Sequence, residues 1–179
     1  MFKAKQSVLV VVDVQGKLAY LMQDQVRLFH NIQAVIKTAQ ILGIPVLWTE
    51  QVPEKIGDTV PEIAQLLKGR TPIRKTTFSC FKEKQFATAI KKLKRKQVVV
   101  VGIETHVCVY QTAADLIEHG FEVQVVADAV SSRSAENKAM GLDRIRQVGV
   151  GVTGTETIAT ELLQNAEGEK FRAILSLIK

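Results

Sequence analysis

The sequence predicts an α/β fold, with helices on both faces of a doubly wound, mainly parallel six-stranded sheet. Three observations support this prediction. Short runs rich in Val and Ile recur without polar alternation, as in strands that are buried on both faces. Segments with helical spacing of apolar residues separate these runs. The alternation of strand and helix predicts a three-layer α/β/α sandwich of Rossmann-like type. The connections between its parallel strands are expected to be right-handed crossovers.

Six segments are predicted to be strands. Five are apolar runs typical of buried strands, at residues 7–14, 44–49, 97–103, 121–127 and 149–152. A sixth, short strand is expected around residues 72–76.

The predicted helices lie between these strands. Gly43, Gly120 and Gly149 are expected to end three of them. The helix that ends at Gly149 is expected to begin with Ser134 as its N-cap. The long stretch 50–74 is predicted to be irregular apart from a short helix within 61–68, and long excursions of this kind are often functional. The helical segments are 25–42, 82–93, 105–119 and 134–148, followed by a tail from 155 in two pieces with a break near 167–168.

Length and composition predict one domain spanning residues 1–179. A chain of this size buries roughly 70% of its unfolded surface and needs no disulfide or metal for stability. Its apolar runs are shorter than the roughly 20 residues of a membrane span, so no membrane association is expected. Two cysteines and an N-terminus without a signal-peptide pattern indicate free thiols in a reducing compartment. We therefore expect a cytoplasmic location.

The formal net charge of +6 raises the question of an acidic partner such as nucleic acid. Much of the positive charge lies in residues 91–96, at the end of a predicted helix, where cations complement the helix dipole. No aromatic side chain interleaves with these charges, as would be typical of a nucleic-acid surface. Nucleic acid is therefore not the expected partner.

Three residues near strand ends could carry chemistry, because ligands of open α/β sheets bind at the carboxyl edge. Asp13 follows the first strand and either lies beside a ligand or caps its own turn. Cys108 falls in the first turn of a predicted helix, which would stabilise a thiolate and lower the pKa of the thiol. Taken alone it could equally be a core cysteine, and Lys75 a surface lysine. Together, a thiol, a carboxylate and a lysine match an activated cysteine nucleophile.

Three motifs, at residues 12–15 (VDVQ), 75–81 (KTTFSCF) and 102–109 (GIETHVCV), are in the order and spacing of a known family. On these motifs the chain resembles the isochorismatase-like cysteine hydrolases, which include nicotinamidases and N-carbamoylsarcosine amidohydrolase. The resemblance extends from about residue 8 to 161. Three further segments resemble the isochorismatase domain-containing proteins, namely 48–51 (WTEQ), 57–62 (GDTVPE) and 128–134 (DAVSSRS).

The resemblance implies an isochorismatase-like fold and a hydrolase with a catalytic triad. In this triad Cys108 forms a thioester, Asp13 accepts its proton and later protonates the leaving group, and Lys75 holds both in register. It also implies a cis peptide before Glu104, which would direct the N–H groups of Glu104 and Cys108 to one point as an oxyanion hole. Substrate-binding roles are expected for three residues, Gln15, Trp48 and Phe78.

Departures from the family pattern narrow the expected chemistry. Isochorismatases proper cleave a vinyl ether without a nucleophile and often lack the cysteine, so Cys108 favours a small amide or ester substrate. Nicotinamidases hold a metal through an Asp-x-His element and another histidine after the second strand. Residues 50–55 contain no histidine, so we expect no metal and no cofactor.

Two other motifs are given less weight. Residues 149–154 (GVGVTG) fit the dinucleotide pattern G-x-G-x-x-G, but they follow a helix and fall within a predicted strand, where that motif does not function. Cys80 could be a redox partner of Cys108, but as the small residue of the second motif it is expected to be packed.

Two alternatives to an enzyme stay open. The chain could be a binding or scaffold protein that keeps the fold, with Trp48 and Phe78 lining a pocket without turnover. A ribonuclease-like relative that binds nucleic acid is the less favoured alternative. The resemblance also implies a homo-oligomer, a dimer or tetramer, and the apolar C-terminal segment 171–178 could cover either its own domain or a neighbour's.

Overall fold

The computed structural model describes residues 1–178. Its six strands are β1 (Ser7–Val12), β2 (Val46–Gln51), β3 (Ile73–Lys75), β4 (Gln97–Ile103), β5 (Glu122–Ser131) and β6 (Gly151–Thr153). They form one sheet in the order β3-β2-β1-β4-β5-β6, and every neighbouring pair is parallel. This confirms the predicted six-stranded parallel sheet.

Helices cover both faces of the sheet. They are α1 (Gly16–Tyr20), α2 (Gln25–Ile41), α3 (Pro53–Ile56), α4 (Pro61–Ala64), α5 (Lys84–Lys92), α6 (Tyr110–Glu118), α7 (Ala135–Gln147), α8 (Thr155–Leu163) and α9 (Gly168–Leu175). On one face of the sheet α2 contacts α4, α8 and α9, and α5, α6 and α7 pack on the other face. Within residues 1–178, no helix combines the length and hydropathy needed to cross a membrane.

The apolar strand runs supply two separate cores because successive side chains of a strand point to opposite faces. In β1, Leu9 and Val11 join the cluster beneath α2, whereas Val10 and Val12 join the cluster beneath α5 and α6. The central strand is therefore fully buried on both sides, as its unbroken apolar sequence predicted.

Several predicted boundaries differ from the structure. The prediction of one helix over 105–119 is wrong at its start, because a π-helical turn (Thr105–Val109) precedes α6. Strand β5 extends four residues beyond its predicted end, with a register irregularity in its pairing to β4 between Val100 and Gly102. Strand β6 begins two residues later than predicted, since Gly149 turns the chain at φ 85°.

The C-terminal helix packs on its own chain. Helix α9 contacts α2 and α8, and Ile174 is fully buried there. Phe171, Leu175, Leu177 and Ile178 are only half-buried there, so both coverings considered for the apolar segment 171–178 stay open. The single domain over 1–179 stays a prediction, with Lys179 outside the described residues.

Candidate active site

The strand order reverses between β1 and β4, and polar side chains collect at this switch point. Asp13 directly follows β1, and Lys75 is the last residue of β3. Gln51 is the last residue of β2, and Cys108 lies in the π-helical turn that follows β4. All four residues therefore come from the carboxyl edge of the parallel sheet, where α/β folds bind ligands.

The backbone at the switch point is tightly packed. Gly102 of β4 has a φ of 121°, and a Cβ atom there would lie 2.1 Å from the carbonyl oxygen of Val12. Only glycine allows this approach without displacement. Asp13, the next residue of the neighbouring segment, has a φ of 48°, a conformation that Asp and Asn tolerate better than most residues. The peptide between Ile103 and Glu104 is cis.

Lys75 is enclosed by acceptors. Its Nζ lies 2.6 Å from Asp13 Oδ2, and it donates to the carbonyls of Thr77 (2.9 Å) and Phe78 (3.1 Å) and to Gln51 Oε1 (3.4 Å). Burial alone lowers the pKa of Lys75, but the Asp13 carboxylate and the two nearby cysteine sulfurs outweigh it and leave the pKa raised. The ammonium therefore stays charged although its side chain is fully buried.

Cys108 is a buried thiol beside these charges. Its Sγ donates to Gln51 Oε1 at 3.2 Å. Burial raises the pKa of Cys108 well above its ordinary value, the Asp13 carboxylate raises it further, and Lys75 opposes the rise. The prediction that the helix start lowers this pKa is therefore wrong, because loss of solvent and the nearby Asp13 carboxylate raise it. At neutral pH the sulfur needs a base before it can act as a nucleophile.

A cavity of about 160 Å³ opens onto this cluster. Its polar lining consists of Asp13, Gln15, Gln51, Glu104 and Cys108, of which all but Gln51 were expected in the site. Its apolar lining consists of Leu18, Ile56, Phe78, Ile103 and Val107. The structure thus brings a thiol, a carboxylate and an apolar recess together.

Trp48 does not line this cavity. It is buried in the core beneath α2, where its indole Nε1 donates to Thr59 Oγ1 at 2.9 Å. Because β2 alternates its side chains, Trp48 and Thr49 face opposite sides of the sheet. This placement does not support the expected substrate contact of Trp48.

Gln15 lines the cavity, but both ends of its amide are engaged. Its Nε2 donates to the carbonyls of Gly57 (2.7 Å) and Gln51 (3.3 Å), and its Oε1 accepts from the Gln51 N–H at 2.6 Å. Gln15 therefore ties the end of β2 to the segment after α3 and fixes the position of Gln51.

Gln51 was missed by the sequence reasoning, although it lies in a segment that resembles the family. Its Oε1 contacts both Cys108 Sγ and Lys75 Nζ. Its place in the 48–51 segment (WTEQ), just beyond the strand predicted for 44–49, was the one available signal. Glu104, which also lines the cavity, accepts hydrogen bonds through its carboxylate from Arg133 N (3.2 Å) and Nε (3.1 Å).

The parallel sheet and the polar cluster at its switch point define an α/β protein with a candidate site at the carboxyl edge of the sheet. Residues 7–157 match the model of the isochorismatase domain. Since this match covers most of the sequence, the chain belongs to the isochorismatase domain family.

The chain is similar to proteins from several organisms. Isochorismatase domain-containing protein 2 of Danio rerio is 37% identical over 174 residues, which cover 97% of this chain and 87% of the relative. The structure of MAR1 ribonuclease from Caenorhabditis elegans has a TM-score of 0.91 and 36% identity, covering 99% of this chain and 91% of that chain. The YcaC gene product of Escherichia coli, described as an octameric hydrolase of unknown specificity, has a TM-score of 0.93, 24% identity and coverages of 98% and 89%. This last likeness concerns the fold alone.

Proposed function

We propose that the chain is a cysteine hydrolase that cleaves a small, uncharged amide or ester through a thioester on Cys108. The observation that carries the proposal is the juxtaposition of a thiol, a carboxylate and an enclosed ammonium at the end of one cavity. These groups supply a nucleophile, a proton acceptor and a fixed charge that holds the acceptor in place. Family membership is consistent with hydrolysis.

In the first half of the proposed reaction, Asp13 removes the proton of Cys108 as the sulfur attacks the substrate carbonyl carbon. The carbonyl π electrons move to oxygen, and the N–H groups of Glu104 and Cys108 are proposed to stabilise this oxyanion. When the tetrahedral adduct collapses, the bond to the amine or alcohol breaks. The leaving group takes the proton from Asp13 and departs, and the acyl group remains on sulfur.

In the second half, water attacks the thioester carbonyl and Asp13 accepts a proton from the water. Collapse of this adduct releases the carboxylic acid and returns the sulfur of Cys108, which regains a proton from Asp13. Lys75 donates no proton in either half. Its charge, held by four acceptors, keeps the Asp13 carboxylate oriented throughout.

The cavity favours a substrate whose acyl part is small and uncharged. A volume of about 160 Å³ accommodates only a short acyl group. Within residues 1–178 its lining contains no lysine or arginine. Lys75 is enclosed behind it, and Arg133 is paired with Glu104. An anionic acyl group would therefore lose its hydration without gaining a cation, which is unfavourable.

This preference can be tested with p-nitrophenyl esters that share one leaving group. We expect kcat/KM for the butyrate ester to exceed that for the hemisuccinate ester by about tenfold or more, because a buried carboxylate without a partner costs at least ~1.4 kcal/mol. Cys108→Ala should remove turnover of both esters, whereas Cys80→Ala, which removes the other cysteine but leaves the nucleophile, should still turn over both. Preference for the hemisuccinate ester would overturn the proposed substrate class. Turnover by Cys108→Ala at the wild-type rate would overturn the proposal that Cys108 is the nucleophile.

A binding protein without turnover is the main alternative, and slow alkylation of Cys108 does not separate the two. The raised pKa of Cys108 makes slow labelling at neutral pH the expected behaviour of the enzyme as well. A binding protein would take up butyramide or the ester without forming an acyl-enzyme. Acyl transfer to Cys108 is thus the discriminating observation.

The structure does not favour nucleic acid as the substrate of this cavity. Asp13 and Glu104 bring carboxylates to its lining, whereas phosphate backbones are bound by cations. Part of the basic 91–96 run is also engaged within the fold. Lys91 lies over the Phe81 ring, and Arg95 Nη1 donates to the carbonyls of Ala4 and Ser7. The name ribonuclease belongs to the Caenorhabditis elegans protein and is not carried over to this chain.

The cytoplasmic location and the homo-oligomer stay predictions.

A further inference from the structure

Two side chains that the proposed reaction does not use lie behind Asp13. Thr49 in β2 and Cys80, in the segment after β3, are both fully buried. Thr49 Oγ1 lies 2.6 Å from Asp13 Oδ1, and Cys80 Sγ lies 3.5 Å from Thr49 Oγ1. The three groups form a chain that ends on the carboxylate oxygen opposite the one contacted by Lys75.

The direction of the hydrogen bonds in this chain follows from the chemistry of the groups. An ionised carboxylate only accepts, so Thr49 gives its single proton to Asp13. The Thr49 oxygen can then only accept from the S–H of Cys80. Burial, and secondarily the Asp13 charge, raise the pKa of Cys80 to about 11, so that this thiol stays a donor at neutral pH.

We propose that Thr49 is a positioning residue for Asp13, backed by Cys80, and that it keeps the carboxylate oriented toward Cys108. This inference rests on the proposed function, in which Asp13 is the proton acceptor. Thr49 holds Oδ1 while Lys75 holds Oδ2, so the carboxyl group has two donors from two different strands. Register places Thr49 directly opposite Val12, the residue before Asp13.

Loss of the Thr49 hydroxyl would favour the neutral carboxylic acid, because a buried carboxylate depends on its donors. The titratable groups that face Asp13 are Lys75 from β3, Cys108 from the π-helical turn and Cys80 from the segment after β3. Of these, only Lys75 is charged at neutral pH. Thr49→Val keeps the size of the side chain and leaves Lys75 as the one strong donor to the Asp13 carboxylate within residues 1–178.

The first test is the pH profile of kcat/KM with p-nitrophenyl butyrate. We expect the acidic limb of Thr49→Val to move to higher pH by about one unit, because a hydrogen bond to a charged group is lost. Thr49→Ser, which keeps the hydroxyl, should restore the wild-type limb. The matched control is Thr38→Val, since Thr38 in α2 is also buried but its Oγ1 has no partner within the described residues. An unmoved limb in Thr49→Val, or an equal shift in Thr38→Val, would overturn the inference.

The second test needs no turnover. The carboxyl carbon-13 signal of Asp13, assigned by its loss in Asp13→Asn, should titrate at higher pH in Thr49→Val than in the wild type. If Thr49→Val does not fold, Cys80→Ala weakens the same chain from its other end and should shift the midpoint in the same direction by less. Coincident midpoints would refute the positioning role. A shifted midpoint in a protein that forms no acyl-enzyme would instead refute the proposed function alone.

Discussion

Replacement of Asp13 by Asn is expected to abolish hydrolysis and, at the same time, to make Cys108 more reactive toward iodoacetamide. The Asp13 charge raises the pKa of the Cys108 thiol, whereas Lys75 lowers it. Asn removes the anion and leaves the cation, so the pKa of Cys108 should fall. Turnover should nevertheless drop by roughly 10²- to 10⁴-fold, because the proton acceptor is gone.

The sign of the pH dependence follows from the thiolate fraction. Below the thiol pKa the alkylation rate rises about tenfold per pH unit, and a raised pKa leaves little thiolate at neutral pH. Removal of a nearby charge shifts a pKa by about one unit or more. We therefore expect Asp13→Asn to be alkylated at pH 7.5 on the order of tenfold faster than the wild type.

The comparison should be made in a Cys80→Ala background, so that all label is on Cys108. Asn is the suitable replacement because it has nearly the size of Asp and tolerates the φ of 48° at position 13. Faster labelling with lost turnover would support an electrostatic role for Asp13. Slower labelling in Asp13→Asn would contradict it, as would hydrolysis at the wild-type rate.

Gly102→Ala is expected to destabilise the central sheet severely. The new Cβ would lie 2.1 Å from the Val12 oxygen and 2.7 Å from the Val12 nitrogen, and both are backbone atoms that side-chain rotation cannot relieve. The φ of 121° adds strain for any residue with a Cβ. We expect a loss of at least about 3 kcal/mol in the free energy of unfolding, measured by urea denaturation.

Gly43→Ala is the matched control for Gly102→Ala. Gly43 also has a positive φ, 67°, but nothing lies within 4 Å of a Cβ built there. Its substitution should therefore cost only about 1 kcal/mol, the strain of the backbone alone. Equal losses in the two variants would show that the close approach of β4 to β1 is not the cause.

Much of the fold could be predicted because burial on both faces makes parallel strands unbroken apolar runs. The limits of β4 agree at both ends with the prediction for 97–103, since Gln97 and Gly102-Ile103 bound a continuous Val run. The extension of β5 to Ser131 could not be predicted, because Val130 and Ser131 pair with β4 only after the register irregularity. The π-helical turn at 105–109 was also missed, since its sequence continues the apolar spacing of α6.

The candidate site was predictable where a residue type alone suggests chemistry. Asp13 and Cys108 are such residues, and both line the cavity. The raised pKa of Cys108 was not predictable, because it depends on burial and on the distance to Asp13 in three dimensions. Gln51 and Thr49 are ordinary polar residues in sequence, and only the neighbouring strands bring them to the thiol and the carboxylate.

Mass spectrometry of protein quenched in acid shortly after mixing with p-nitrophenyl butyrate tests whether Cys108 carries the acyl group. We expect one butyryl adduct on the peptide that contains Cys108, retained in Cys80→Ala and absent from Cys108→Ala. An adduct on any other residue, or hydrolysis that continues undiminished in Cys108→Ala, would show that Cys108 is not the acyl carrier.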